Sequence, residues 1–156
     1  MAGGFSILPE RLEEFTGFIY EHVRRQAEEV TVNVTADVDA VITVGGVQLE
    51  LLHVLERMVG PFGMDFPEPL FAFSNVRLHS IDVLKEKHIR VMMSDWEGGA
   101  RIKAMAFGAV GKPLGDALLK EGRKAFHILG HLKVNRWQGR ESAELHIKDG
   151  VVAAAG

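Results

Sequence analysis

The chain contains no cysteine, which excludes disulfides and thiolate metal sites and fits a reducing, cytoplasmic compartment. Long apolar runs are also missing: the longest, residues 104–111, is far shorter than the roughly 20 residues of a membrane-spanning helix. The first four residues, Met-Ala-Gly-Gly, lack the basic and apolar segments of a signal peptide. We therefore expect a soluble cytoplasmic protein that does not associate with a membrane.

Charge is unevenly distributed along the 156 residues, although the net charge is only −3. Residues 1–69 carry four basic and twelve acidic side chains, whereas residues 70–156 carry fourteen basic and nine acidic ones. Such a change of sign suggests two units, of which the second favours an anionic partner. Two solvated surfaces of opposite sign are an equal alternative on charge alone.

The first part of the chain alternates between strand and helix patterns. The predicted elements are a strand at residues 5–7, a helix at 9–28, a strand at 30–35 and a helix at 47–59. Pro61, Gly63, Pro67 and Pro69 then exclude a helix or a central strand. We predict a small α/β domain at residues 1–60, a linker at 61–69 and a second domain at 70–156.

The second part changes to the period of β-strands. Predicted strands cover residues 71–83, 88–95, 101–107, 123–135 and 142–147, with one helix at 113–121. In the last strand, Ala143, Leu145 and Ile147 are expected to point inward, and Glu144 and His146 outward. Three strands, a helix and two strands is the order of a five-stranded oligonucleotide-binding (OB) barrel. The predicted fold class is therefore α+β, an α/β piece followed by an OB barrel.

Three arrangements in the sequence resemble catalytic or metal-binding motifs, but each of them lacks the spacing or the ligands that such a motif needs. Residues 108–112 resemble a phosphate-binding loop, but the glycine spacing is too short and a proline replaces the magnesium-binding hydroxyl residue. His127 and His131 would lie about 13 Å apart on a strand, too far to share one metal. Asp37 and Asp39 have no third ligand nearby in sequence. We predict no catalytic or metal-binding residue in this chain.

Basic residues alternate with aromatic ones in the second part, as in proteins that hold single-stranded nucleic acid by cationic grooves and base stacking. The predicted binding residues are Arg77, Arg90, Arg101, Lys103, Lys133, Arg136, Trp137 and Arg140. In the alternative interpretation, Phe107 and Trp137 are core or turn residues and the cations only solvate the barrel. For Phe107 that interpretation is preferred; for Trp137 the two are equally supported.

Four stretches resemble the carboxy-terminal part of the RecJ family, bacterial DHH-superfamily exonucleases that degrade single-stranded DNA from the 5′ end. They are residues 1–7, which resemble the segment after the glycine-glycine-histidine motif of the DHH-associated domain, residues 61–69 with Pro67-Glu68-Pro69, residues 104–108 (Ala-Met-Ala-Phe-Gly) and residues 135–139 (Asn-Arg-Trp-Gln-Gly). The order of the stretches also agrees. One departure is Asp65-Phe66, where the family usually has Gly-Asn.

The resemblance implies a module that lacks the family's catalytic core. The Asp- and His-rich motifs that bind Mn²⁺ or Mg²⁺ in the family have no counterpart here, so we expect a fragment that binds single-stranded DNA without cleaving it. Implied partners are single-stranded DNA, the missing amino-terminal catalytic core and a single-strand-binding protein. A rival hypothesis is a protein-interaction platform that docks the core or that protein. A third is that the chain itself retains nuclease activity.

Overall fold

A computed structural model describes residues 36–59 and 67–154. The strands are β1 (Ala40–Val41), β2 (Phe71–Leu84), β3 (His88–Asp95), β4 (Arg101–Ala106), β5 (Phe126–Trp137) and β6 (Arg140–Val152); the helices are α1 (Leu49–Val59) and α2 (Pro113–Glu121), and a 3₁₀ turn spans Val44–Gly46. The elements predicted at residues 5–7, 9–28 and 30–35 lie outside the described residues.

Strands β2 to β6 close into a ring in the order β2-β3-β4-β6-β5. Strand β2 pairs antiparallel with β3 on one side and with β5 on the other, and β4 pairs in parallel with β6. This closure confirms the predicted OB fold, with α2 between the third and fourth strands of the ring. Strand β1 adds two residues in parallel to the start of β2.

Irregular positions in the long strands allow them to bend around the ring. In β2, the pairing register shifts between Phe73 and Val76, and Asn75 in this bulge has a φ of +51°, a left-handed conformation that asparagine tolerates. In β5, the register with β6 shifts at Gly130. A Cβ atom at Gly130 would lie 2.4 Å from the carbonyl oxygen of His146, so only glycine allows this close approach.

The core lies inside the ring and is almost entirely apolar. Its largest buried side chains are Phe73, Phe126, Ile89, Met93, Leu118, Ile128 and Leu145. They come from β2, β3, β5, β6 and α2, because alternate residues of each strand point inward. The outer face of the strands is thereby left for polar and charged side chains.

Residues 37–59, which precede the predicted linker, belong to the same compact unit as the ring. Val44 of the 3₁₀ turn is buried in the core, and Asp95 at the end of β3 accepts hydrogen bonds from the N–H groups of Val44 (2.9 Å) and Gly45 (3.1 Å). Leu52 of α1 is also buried. The domain boundary predicted at residues 61–69 stays a prediction.

The observed strands differ from the predicted ones mainly at their ends. Strand β5 begins at Phe126 instead of residue 123, because the chain after α2 makes a turn in which the Lys124 N–H donates to the carbonyl of Glu121. Strand β6 extends to Val152, since cross-strand pairing with β5 continues beyond the apolar alternation. The two-residue strand β1 carries no periodic pattern and was not predicted. No helix among the described residues is long and apolar enough to cross a membrane.

Candidate nucleic-acid interface

The outer face of β4, β6 and β5 carries a row of charged residues in register. Lys103 of β4 pairs with Glu144 of β6, which in turn pairs with Lys133 of β5. Glu144 is expected from the sequence to be solvent-exposed, but only 9% of the residue is accessible. Lys103 Nζ lies 2.5 Å from one oxygen of this carboxylate, and His146 Nε2 lies 3.1 Å from the other. One carboxylate thus lies beneath two nitrogen-bearing side chains at the centre of the outer face.

A groove lies beside this row, where the β5–β6 hairpin extends past the start of β4. Its volume is about 790 Å³, and its lining residues are Lys103, Asn135, Trp137, Gln138, Arg140, Glu141 and Ser142. Trp137 is 71% exposed, and Gln138 and Gly139 both adopt positive φ in the tight turn that follows it. Three of the eight predicted residues, Lys103, Trp137 and Arg140, therefore meet in one groove.

A second cluster lies at the end of β3, next to the same face. The guanidinium of Arg77 lies 4.5 Å from the ring centroid of Trp96, a cation–π contact. The Ser94 hydroxyl donates to the Asp95 carbonyl (2.7 Å) and therefore accepts from His79 Nε2 (2.8 Å), which requires a proton on Nε2.

Arg101 belongs to this cluster because it is the register partner of Ser94 on β4, as Arg77 is on β2. Desolvation of the His79 ring, together with the positive charges of Arg101 and Arg77, lowers the pKa of His79 below its usual 6.5. Within the described residues, no ion pair is formed by Arg77, Arg101 or Arg140. The cluster thus presents two arginines and an indole ring without a neighbouring carboxylate bound to either guanidinium.

Arg136 is held by helix α1. Its Nη2 donates to Glu56 Oε2 at 2.9 Å and its Nε donates to Glu141 Oε1 at 2.8 Å, while His53 Nε2 of α1 lies 2.9 Å from Glu141 Oε2. Adjacent residues of a strand point to opposite faces, so Arg136 faces α1 whereas Trp137 faces the groove.

The two remaining predicted cations are also paired. Arg90, on the outer face of β3, lies 3.1 Å from a carboxylate oxygen of Asp82. Lys133 forms an ion pair with Glu68, just before β2. Arg90 is four strand residues from Ser94, about 13 Å along β3, so it lies away from the Arg77 cluster. Arg90, Lys133 and Arg136 are thus bound to carboxylates and do not line the groove, whereas Lys103 is bound to Glu144 but does line it.

Residues considered as metal ligands have other partners. The Asp39 carboxylate accepts the Leu70 N–H at 2.7 Å, which fastens β1 to the start of β2. His127 Nδ1 accepts from the Asn75 N–H at 3.3 Å, and His131 Nδ1 lies 2.8 Å from the Pro69 carbonyl. Within the described residues no three His, Asp or Glu side chains converge in a geometry suited to a metal ion.

Three residues of this surface, Glu56, Glu144 and Phe107, were not predicted from sequence patterns to belong to it. The contact of Glu56 with Arg136 spans 80 positions, and the burial of Glu144 depends on a parallel strand pair. Phe107, for which the sequence favours a core or turn role, follows β4 in a turn and is 54% exposed.

Comparison with known proteins identifies relatives over nearly the whole chain. Residues 38–149 match the family model described as the RecJ OB domain. The chain is 27% identical over 149 residues to the single-stranded-DNA-specific exonuclease RecJ of Salmonella typhimurium, covering 96% of this chain and 25% of that protein. It is 23% identical over 153 residues to the Bacillus subtilis protein of the same name, covering 98% of this chain and 19% of that protein. The chain thus spans about a quarter or less of the length of these curated relatives.

The fold is also similar to that of a solved relative. The crystal structure of RecJ in complex with Mn²⁺ from Thermus thermophilus superposes with a TM-score of 0.56 at 18% identity, covering 97% of this chain and 21% of that one. At this level of identity the likeness concerns the fold alone.

Proposed function

Because the chain belongs to the RecJ OB domain family, we propose that its barrel holds single-stranded DNA for a RecJ-type exonuclease. The single observation that carries this proposal is the groove in which Lys103, Trp137 and Arg140 meet. A cation and an exposed indole side by side provide the two contacts that single-stranded nucleic acid requires, phosphate neutralisation and base stacking. In OB folds, ligands lie across the second and third strands, here β3 and β4, and against the loop between the last two strands.

The Arg77 cluster extends the proposed interface along the same face. Arg101 lies two residues from Lys103 on β4 and therefore points to the same side. Arg77 and Trp96 follow on β2 and at the end of β3. We propose that DNA contacts Arg77, Arg101, Lys103, Trp137 and Arg140 directly. For Arg90, Lys133 and Arg136, contact with DNA stays a prediction, since each of them is bound to a carboxylate and none of them lines the groove.

The reaction proposed for the whole protein is 5′-to-3′ hydrolysis of single-stranded DNA, in DNA repair and recombination. The relatives are named single-stranded-DNA-specific exonucleases. In our proposal, the catalytic core with its Mn²⁺ or Mg²⁺ lies outside this chain, and the barrel captures the strand and delivers it. The chain alone then binds DNA without cleaving it.

Fluorescence anisotropy with labelled oligo-dT, titrated at several salt concentrations, tests the proposal. We expect binding that favours oligo-dT over duplex DNA, with a slope of about −0.7 per phosphate contact in a plot of log affinity against log salt. Incubating end-labelled oligo-dT with the chain and Mn²⁺ should give no cleavage. If the chain does not bind oligo-dT even at low salt, the proposal is contradicted. If the chain cleaves oligo-dT, the result supports the hypothesis that the chain itself retains nuclease activity.

A second candidate function is a docking platform for the catalytic core or for a single-strand-binding protein. The ion pairs of Lys133 with Glu68 and of Arg136 with Glu56 favour it, because carboxylates already occupy part of the basic surface. A platform would bind the isolated catalytic core or the single-strand-binding protein with an affinity that oligo-dT does not alter. If DNA and the protein partner compete for the chain, the two functions share one surface.

A further inference from the structure

Phe107 is a large apolar side chain left exposed on the face that carries Lys103. Lys103, Met105 and Phe107 alternate along β4 and its exit, so all three point outward. Met105 is only 9% exposed, whereas Phe107 is 54% exposed. Packing in the barrel does not require this ring, because the inward positions of β4 belong to Ile102, Ala104 and Ala106.

Two imidazole rings hold Phe107 in place. His88 lies at 5.4 Å with an interplanar angle of 72°, and His146 lies at 4.9 Å with an angle of 77°. His88 Nδ1 accepts the Gly108 N–H at 2.8 Å, and His146 is tied to Glu144. Each histidine is thus fixed by its own polar contact. Edge-to-face packing against both of them restricts the orientation of the phenyl ring.

We infer that Phe107 is a second base-stacking platform, which binds a base of the same single strand that contacts Trp137. This inference rests on the proposed function and adds a site to it. Four strand residues separate Lys103, at the groove, from Phe107, a distance of about 13 Å. The two rings therefore receive two different bases.

The chemistry around Phe107 fits a nucleotide. Arg90, the register partner of Met105, lies on the same face, and its side chain is 47% exposed despite its contact with Asp82. A single DNA strand that leaves the Trp137 groove over Lys103 passes Met105, next to Arg90 on β3, and then reaches Phe107. An exposed aromatic ring held between two imidazoles provides a stacking surface for a base.

Binding of oligo-dT to Phe107→Ala and Phe107→Trp tests the inference. We expect Phe107→Ala to weaken binding about 5- to 150-fold, as for the loss of one stacked base, and Phe107→Trp to restore it. Leu119→Ala is the matched control, because Leu119 is an apolar residue on α2 with 45% exposure. Thermal melting of each variant by circular dichroism shows whether the fold is retained.

Abasic scanning of the oligonucleotide then identifies the base involved. An abasic nucleotide at one position should abolish the difference between wild type and Phe107→Ala, and a different position should do so for Trp137→Ala. Unchanged affinity of folded Phe107→Ala, or coupling of both rings to one position, would overturn the inference while wild-type binding still supports the proposed function. If the wild-type chain does not bind oligo-dT, both fail.

Discussion

Arg136 donates from Nη2 to Oε2 of Glu56 at 2.9 Å, and this contact binds the β5–β6 hairpin to helix α1. Arg136 and Trp137 are neighbours in the sequence, yet one is held by α1 and the other lies exposed beside Lys103 and Arg140. The β5–β6 hairpin, which carries Trp137, is therefore held on the face opposite Trp137 by an ion pair with Glu56, a residue from the acidic part of the chain.

The Glu56–Arg136 contact should make stability depend on pH in the acidic range. The hydrogen bond from Arg136, helped by its charge, lowers the pKa of Glu56 below its usual 4.5. A lowered carboxyl pKa stabilises the fold above the unfolded value, and this contribution is lost as the pH falls through the folded pKa. The Tm difference between wild type and Glu56→Gln should therefore be largest near neutral pH and shrink below pH 4.5. Glu97→Gln, at an exposed turn, is the control, and an equal Tm difference for Glu56→Gln at all pH values would contradict the prediction.

Removing Lys103 should be costly because of the carboxylate beneath it. Lys103→Ala leaves Glu144, with its side chain 12% exposed, without its nearest cation, so we expect a loss of about 1–3 kcal/mol in the free energy of unfolding. The double variant Lys103→Ala, Glu144→Gln should recover most of this loss. Urea denaturation measures both. Arg101→Ala, which breaks no ion pair, is the matched control and should change the denaturation midpoint little; an equal loss there would refute the argument.

We expect the indole ring of Trp137 to stack on about one base of the bound DNA. Trp137→Ala is expected to weaken oligo-dT binding by about 1–3 kcal/mol, whereas Trp137→Phe retains a ring and most of the affinity. In a Trp96→Phe background, the remaining indole fluorescence should be quenched by oligo-dT. If Trp137→Ala binds as tightly as wild type, the hairpin groove is not the binding site.

His79 should report the charge of the Arg77 cluster. The pKa of His79 lies below 6.5 through desolvation and the nearby charges of Arg101 and Arg77. Arg101→Ala should raise this pKa towards 6.5, without reaching it, because desolvation persists. An NMR titration of the imidazole resonances measures the change. Saturating oligo-dT should also raise the pKa, because a phosphate near the arginines favours the imidazolium; a lower pKa in the complex would argue against phosphate binding there.

Much of the ring was predictable because its strands follow local residue patterns. Apolar alternation placed β3 at residues 88–95 as observed, and proline and glycine marked both ends of α2. The ends of β6 were not predicted, since cross-strand hydrogen bonds extend it through polar residues such as Lys148 and Asp149.

The candidate site was predictable only as a set of residue types. Lys103 is separated from Trp137 and Arg140 by more than thirty positions in sequence and meets them only because β4 pairs with β6.

What the sequence determined by itself is the order of strands and helix, because side-chain periodicity and turn residues act over a few neighbouring positions. Which cations remain available to a ligand was decided by the tertiary structure. Arg136 meets Glu56 across 80 positions, and Lys133 of β5 meets Glu68 just before β2. Ion pairs join residues that only the closed ring and the docked helix bring within 4 Å, so no local pattern predicts which of these charges are neutralised.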